Sequence, residues 1–227
     1  MKNIVVLTGA GISAESGIQT FRDANGLWEG HDVMEVASPE GFRKNPDLVL
    51  DFYNQRRKQL LSAAPNKAHF NLKKLENKFN VQIITQNVDD LHERAKSSNI
   101  LHLHGELLKV RSTANASLVY DWRKDLVSGD MCDENSQLRP HIVWFGEEVP
   151  LLNKAAEITM NADIVVIIGT SMQVYPAASL IQYAVPGRPI YFIDPKPAIA
   201  ADQYTNLTII KATASDGTDE LLRLLCY

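Results

Sequence analysis

The chain has 227 residues, 45% of them apolar, with 23 Lys plus Arg against 27 Asp plus Glu and a formal charge of -4. That is enough for one large domain, or a core domain with a small insertion. The charge balance excludes a nucleic-acid binder working through bulk positive charge, and leaves basic peptides open as substrates. Cys132 and Cys226 are too few for a disulfide framework, so a reducing compartment, the cytoplasm, is expected. The opening run MKNIVVLTGAG turns into glycine too soon for a signal peptide or a membrane span.

In chain order, residues 3–7, 81–85, 163–169, 189–193 and 207–210 read as buried strands. They are short, rich in Ile and Val and without strict alternation, as parallel strands covered on both faces should be. Helical patterns lie between them. Asn45-Pro46-Asp47 starts one that runs to about Ala63, with Val49, Phe52 and Leu60 at helical spacing. Pro65-Asn66 starts another, with Ala68, Leu72 and Leu75 on one side, and 149–160 and 177–184 follow. Strands alternating with helices indicate an α/β fold with an open, mostly parallel sheet. Residues 21–62 and 105–145 break the rhythm and read as insertions forming a smaller lobe.

The first strand enters a glycine loop. Residues 4–17 read IVVLTGAGISAESG, and Gly9-x-Gly11-x-x-Ala14 fits the dinucleotide fingerprint. In that reading Gly9 gives a tight turn, Gly11 lets the backbone approach a pyrophosphate, and a following helix start supplies N–H groups. The plain alternative is a tight strand–helix turn. The acid expected about 20 residues further on is poorly placed, because the next strand begins near residue 81; Asp194, after PIYFI, is better placed for a ribose hydroxyl.

The segments 8-TGAGISAESGIQTFRD-23, 85-TQNVDDLH-92, 102-HLHGE-106, 140-PHIVWFGE-147 and 169-GTSMQVYPAA-178 together resemble the sirtuin family of NAD-dependent protein lysine deacylases. The resemblance implies a Rossmann-like NAD-binding part, approximately 1–22, 63–104 and 146–227, and a small lobe, approximately 23–62 and 105–145. NAD and the acyl-lysine peptide would lie in the cleft between them. It places Gly9, Ala10, Gly11, Ser13, Glu15, Phe21 and Arg22 in the segment holding the phosphates and the nicotinamide end. Gln86, Asn87 and Asp89 would line the nicotinamide and ribose pocket. Gly169, Thr170, Ser171 and Val174 would close over ribose and phosphate, with Asp194 and Ala212 completing the cofactor set. His104 would be the general base toward the ribose diol, with Asn87 and Asp89 beside the reaction. Free lysine, nicotinamide and O-acyl-ADP-ribose are the implied products.

The residue chemistry agrees. Histidine titrates near operating pH, which suits a general base. His102 and His104 are two apart, so on a strand both would face one way; for His102 a structural role is the plainer reading, and His92 is expected to pack or orient a helix start. Asn87 and Asp89 follow a strand, at the sheet edge where open α/β folds bind ligands, and a carboxylate can accept from a carboxamide NH2.

Tyr53 and Arg56 share a helix face at i, i+3. The plain reading is a solvated charged face, since Arg57 and Lys58 lie alongside. Within the family, Tyr-x-x-Arg looks like the mark of the branch that accepts succinyl and malonyl groups. The guanidinium fork matches a carboxylate, and Ala24 would leave room for the longer acyl chain. Val143, Trp144, Phe145, Gly146 and Glu147 would form one substrate wall, pairing with an extended peptide by strand addition.

Many sirtuins hold a structural zinc with four cysteines after the His-Gly pair; here only Cys132 stands in that segment, so no zinc is expected. Leu118, Val119, Tyr120, Trp122, Leu126, Val127 and Leu138 are then the candidate core of the lobe. Two rival functions stay open. A protein ADP-ribosyltransferase would need the same loop, and is disfavoured by His104 and the peptide wall. A non-catalytic NAD or ADP-ribose sensor gains from the lost cysteines, and is disfavoured by the His104, Asn87, Asp89 and Tyr53/Arg56 set.

Overall fold

The structure is a computed structural model that describes residues 1–19, 27–28, 30–197 and 206–226. Six parallel strands form its main sheet: β1 (Asn3–Thr8), β4 (Asn80–Thr85), β5 (Ile100–His102), β9 (Ile164–Ile168), β10 (Ile190–Ile193) and β11 (Leu207–Ile210), in the order β11-β10-β9-β1-β4-β5. Counted along the chain this is the 3-2-1-4-5-6 order of doubly wound folds. β1 is central, with Leu7 in register with Ile84 on one side and Ile167 on the other. Successive strand side chains point to opposite faces. Ile4 and Val6 join Leu72, Leu75, Ile83, Val166 and Leu221 on one face, covered by α4 (Lys67–Leu75) and α7 (Ala214–Cys226). Val5 and Leu7 join Ile84, Val165, Ile167 and Phe192 on the other, covered by α6 (Leu152–Met160) and a 3-10 helix at Ala177–Tyr183.

The helix starts follow from their capping residues. Asn45 accepts from the Leu48 N–H ahead of α3 (Pro46–Ser62), and Pro46 takes the first helical position, where no N–H is needed. Asn66 and His69 form a reciprocal capping box at α4. The Asn66 amide also donates to the Ile12 carbonyl and the Ser16 hydroxyl, anchoring the segment after β1 to the helix.

The second region opens with a short antiparallel pair, β2 (Leu27–Trp28) and β3 (His31–Asp32), and two short helices, α1 (Val33–Val36) and α2 (Pro39–Lys44), and centres on a three-stranded antiparallel sheet, β7 (Val119–Asp121), β6 (Gly105–Ser112) and β8 (Leu138–Ile142). The sequence over 105–145, expected to be a degenerate zinc-ribbon-like segment, shows no clean strand–helix unit. α3 packs beside it, and Val49, Phe52, Tyr53, Leu60, Leu107 and Trp144 share one cluster. A second cluster joins Leu50, Val110, Leu126, Cys132 and Leu138, with Leu118, Tyr120 and Trp122 partly buried against it. Val119 and Val127, expected in that core, are exposed. Arg57, read as part of a solvated face, is only 1% exposed. It donates to Asn54 Oδ1 at 2.7 Å and the Leu107 carbonyl at 3.3 Å, and burial pulls its pKa down to about 10. Asn54 in turn exchanges two hydrogen bonds with the Leu126 backbone, tying α3 to the lobe. Among the described residues no helix is long and apolar enough to cross a membrane.

Candidate active site

The sheet order places β1 between β4 and β9, so the crevice beyond its carboxyl end is a topological switch point. Three segments meet there: 9–16 after β1, 86–90 after β4 and 169–172 after β9. Gly11 N–H donates to the Gly169 carbonyl at 2.8 Å, and Gln86 Nε2 donates to Thr170 Oγ1 at 3.3 Å. The glycines are explained by this contact. Gly9 is extended (φ -124°, ψ -174°), so the expected tight turn is not its reason; a Cβ there would lie 2.8 Å from the Gly169 oxygen, and one on Gly11 2.5 Å from Gly169 Cα. Nor does a full helix follow the loop: two 3-10 pieces, Ala10–Ile12 and Ala14–Ser16, take its place.

Inside the crevice Ser13 Oγ donates to Asp89 Oδ2 at 2.9 Å, and Asn87 Nδ2 lies 3.2 Å from both the Gly9 carbonyl and Ser13 Oγ. Ser13, Asn87 and Asp89 are all buried. Burial raises the Asp89 pKa against the Leu91 N–H and the Ser13 hydroxyl, which favour the carboxylate. Behind the cluster Thr8 Oγ1 meets His92 Nε2 at 3.2 Å, and His92 packs on His69 with ring centroids 4.9 Å apart. His92 thus supports the start of α5 (Leu91–Arg94), as its position suggests.

His104 ends the turn between β5 and β6. Its Nδ1 is 3.1 Å from the Gln86 carbonyl, which can only accept. Nδ1 therefore carries the proton and Nε2 keeps its lone pair. Burial lowers the His104 pKa, with the Gln86 carbonyl pulling the other way, so the ring is a neutral base near neutral pH. Gly105 follows at φ 85°, where a Cβ would sit 2.0 Å from the His141 carbonyl oxygen; only glycine fits. His102 lies beside the cluster, on Asn87 O and Glu93.

The other expected residues have partners of their own. Glu15 accepts from the Ser215 N–H at 2.9 Å and so caps α7; its carboxylate is not part of the Ser13–Asp89 cluster. Asp194, 2% exposed at the end of β10, accepts from the Lys196 N–H at 2.8 Å. Ala212 follows β11, and its N–H donates to the Ile210 carbonyl. Ser171 and Val174 are half-buried beyond Thr170, and Val174 starts the turn closed by Ala178 N–H. Ala10 is half-buried in the first 3-10 piece. Phe21, Arg22 and Ala24 lie outside the described residues.

On the small-lobe side Tyr53 is 1% exposed and accepts from Trp144 Nε1 at 2.9 Å. Arg56 stacks its guanidinium on Phe52 at 4.4 Å. The Trp144 ring is covered at 3.3 Å by the Arg139 guanidinium. Arg139 binds Glu147 through Nη1 at 2.6 Å and Nη2 at 3.1 Å, and Arg111 reaches the same carboxylate at 3.2 Å. Strand addition is narrower than expected here. The N–H groups of Val143, Trp144, Phe145 and Glu147 go to His104 O, Glu147 Oε2, Ala37 O and Trp144 O, so a peptide would have to be held by other groups of the wall. Gly146 sits at φ 89° in that turn. Arg139 and Arg111 carry no sequence signal for this task, since their partner is defined only by the turn of the chain.

At the tip of the lobe Ser112 Oγ accepts from the Ala114 and Asn115 N–H groups and lies 3.3 Å from Cys132 Sγ. Ser136 N–H donates to the same sulfur, and Tyr120 donates to Asp133. One thiol facing a hydroxyl is not a donor set that fits structural zinc. Among the described residues no three His, Cys, Asp or Glu side chains gather for a metal.

An open parallel sheet in this order, with polar side chains gathered at its switch point, defines a Rossmann-like protein. The Sir2 family model matches residues 9–176. A protein of Helicobacter pylori named NAD-dependent protein deacylase is 61% identical over 222 residues, spanning 98% of this chain and 96% of its own. One of the same name from Bacteroides thetaiotaomicron is 53% identical, spanning 99% and 98%. Among solved structures, a Sir2 homologue in complex with NAD aligns with TM-score 0.88 and 40% identity, covering 98% of this chain and 89% of that one. The chain belongs to the Sir2 family.

Proposed function

We propose that this chain is an NAD-dependent protein lysine deacylase, acting on succinyl and malonyl groups and also on acetyl groups, and releasing nicotinamide and O-acyl-ADP-ribose. The observation that carries the reading is His104, held as a neutral base on the Gln86 carbonyl, next to the loop whose Asn87 and Asp89 meet Ser13. The relatives named as deacylases support it, as does a Sir2 structure described with a p53 peptide and NAD, 32% identical with TM-score 0.81 over 97% of this chain and 92% of that one.

The residues fit NAD. Each Asp89 oxygen accepts one hydrogen bond from the chain and retains a lone pair for a carboxamide NH2. Gly9, Ala10, Gly11, Gly169, Thr170, Ser171 and Val174 would hold the phosphates and ribose, with Asp194 and Ala212 at the adenosine end. Bound NAD supplies an electrophilic ribose carbon whose leaving group is nicotinamide. His104 Nε2 would take a proton from the sugar diol while Nδ1 stays on Gln86, so the ring would keep its aim as it charges.

The acidic-acyl preference rests on Tyr53 and Arg56. Indole N–H only donates, so the Tyr53 hydroxyl is the acceptor of the Trp144 bond, and its own proton can be given to a substrate carboxylate. Arg56, one helical turn on, brings the countercharge. Absence of zinc and a cytoplasmic location belong to the same proposal, the latter resting on two free cysteines.

The test is mass spectrometry of matched acetyl-lysine and succinyl-lysine peptides incubated with protein and NAD. Succinyl loss should outpace acetyl loss, and the order should reverse in Arg56→Met. No NAD-dependent loss from either peptide would overturn the enzyme reading; a stable ADP-ribose adduct in its place would favour the transferase.

A further inference from the structure

The loop between β4 and α5 presents three consecutive carbonyls, and the β5–β6 segment takes all three. His104 Nδ1 binds Gln86 O at 3.1 Å, His102 Nδ1 binds Asn87 O at 3.1 Å, and the Leu107 N–H binds Val88 O at 2.8 Å. The other His102 nitrogen, Nε2, lies 2.7 Å from Glu93 Oε1 on α5.

Both partners of His102 are acceptors. A backbone carbonyl has no proton to give, and an ionised carboxylate has none. A neutral imidazole donates from one nitrogen only, so both contacts exist together only when the ring is the doubly protonated imidazolium. We propose that His102 is a positioning residue, held as an imidazolium between Asn87 O and Glu93, which fixes the loop that aims Asn87 and Asp89 into the NAD site. Two histidines two residues apart, one ending β5 and one in the turn after it, thus work in opposite charge states: His104 neutral with one nitrogen open, His102 charged with both nitrogens engaged. This inference rests on reading the cluster as the NAD site.

The charges around His102 support that state. Glu93 and His92 face it from α5, Asp89 from the loop and Glu106 from β6, with Lys109 beside Glu93. Burial opposes the charge, but the Glu93 carboxylate and the Asn87 carbonyl outweigh it and raise the His102 pKa. Burial and its histidine neighbours keep His92 uncharged, so no second cation competes. The sign follows: the clamp is complete below the folded-state pKa of His102, which lies above the ordinary 6.5, and is released as pH rises through it.

The test uses the whole chain and the conservative variant Glu93→Gln. Nitrogen-15 spectra of the His102 ring over pH 6–9 should show both nitrogens protonated at pH 7, with the titration moving to lower pH in Glu93→Gln. The backbone amides of Asn87, Val88 and Asp89 should shift with the same midpoint. By calorimetry, NAD affinity in Glu93→Gln should fall roughly three- to tenfold at a pH where the ring spectra show the parent charged and the variant neutral, and recover once the variant ring is charged, the change expected for one weakened charge-assisted contact. In turnover, the KM for NAD should carry this pH dependence while kcat at saturating NAD follows His104. A single neutral tautomer at pH 7 in the parent chain, loop amides that ignore the titration, or NAD binding in Glu93→Gln that matches the parent at every pH would each overturn the proposal. A parent chain that binds no NAD would instead overturn the cofactor reading, and the ring spectra would still decide whether the clamp exists.

Discussion

Replacing Glu147 by alanine removes one carboxylate from a site where four donors converge. Arg139 binds it through two nitrogens at 2.6 and 3.1 Å, Arg111 at 3.2 Å and the Trp144 N–H at 2.8 Å. The Arg139 side chain is only 10% exposed, so the variant leaves a nearly buried guanidinium without its counterion. Removing one member of a buried pair costs about 3–5 kcal/mol. Two features lower that figure here. Arg139 keeps the Ile142 carbonyl at 3.0 Å and the Trp144 ring at 3.3 Å, and Glu147 is 22% exposed, so water reaches the vacated place. The expected loss is about 2–3 kcal/mol, or a Tm roughly 4–12 °C lower for a chain of this size. Urea unfolding at pH 7 of Glu147→Ala, Arg139→Met and the double variant measures the coupling. Arg139→Met in the Glu147→Ala background should regain part of the loss, because an apolar chain over Trp144 needs no counterion. Coupling below about 0.5 kcal/mol, the range of independent sites, would refute the view that these groups hold the wall as one unit.

His104→Ala should cut turnover by about 10²–10⁴-fold, the usual contribution of a placed base, while NAD binding by calorimetry stays near the parent value. His69 is buried and neutral, its pKa pulled down from 6.5 to about 4 by burial and then by Arg94. Between those values the unfolded chain binds a proton that the folded chain excludes, so stability should fall as pH drops through the window, by roughly 3 kcal/mol in all, and level off below it. His69→Gln should show a flatter decline of the urea midpoint between pH 7 and pH 4. Dialysis against a strong chelator should leave Tm and activity unchanged, and elemental analysis of the untreated protein should find less than a tenth of a zinc per chain on the order of background, since the Ser112–Cys132 pair supplies one thiol.

The strands that form the middle of the sheet were legible because each is a run of Ile and Val long enough to stand out: 81–85 became Asn80–Thr85 and 163–169 became Ile164–Ile168. β5 was not, because three residues ending in histidine carry no periodicity and depend on Thr85 pairing with His102. The antiparallel strands of the lobe were hidden for a related reason. β7 exposes Val119 and Asp121, and β8 contains Arg139 and Pro140, so neither shows a hydrophobic alternation. The candidate site residues stand on motifs that resemble a known family, and the resemblance is what singles them out. What spacing could not show is which partner each side chain takes: Glu15 went to α7, Arg57 to a buried amide, and Gly9 and Gly11 to the backbone of Gly169. The Glu15 and Gly169 outcomes, and the bond from Arg57 to the Leu107 carbonyl, depend on approaches between segments at least 50 residues apart, and no local pattern encodes them.

The chain Tyr53–Trp144–Arg139–Glu147 has a consequence for any attempt to retune the molecule. Its first member sits on the helix that carries Arg56 and its last in the turn after β8, and each link is a direct contact. A change in the bulk or tilt of Tyr53 therefore shifts the indole, and with it the cation that holds the turn in shape. Selection acting on one end is felt at the other, so the two surfaces can drift only along paths that keep the indole seated. Libraries that vary residues 53 and 56 alone will sample mostly misfitted walls; libraries that vary 53, 139, 144 and 147 together can move between alternative packed solutions.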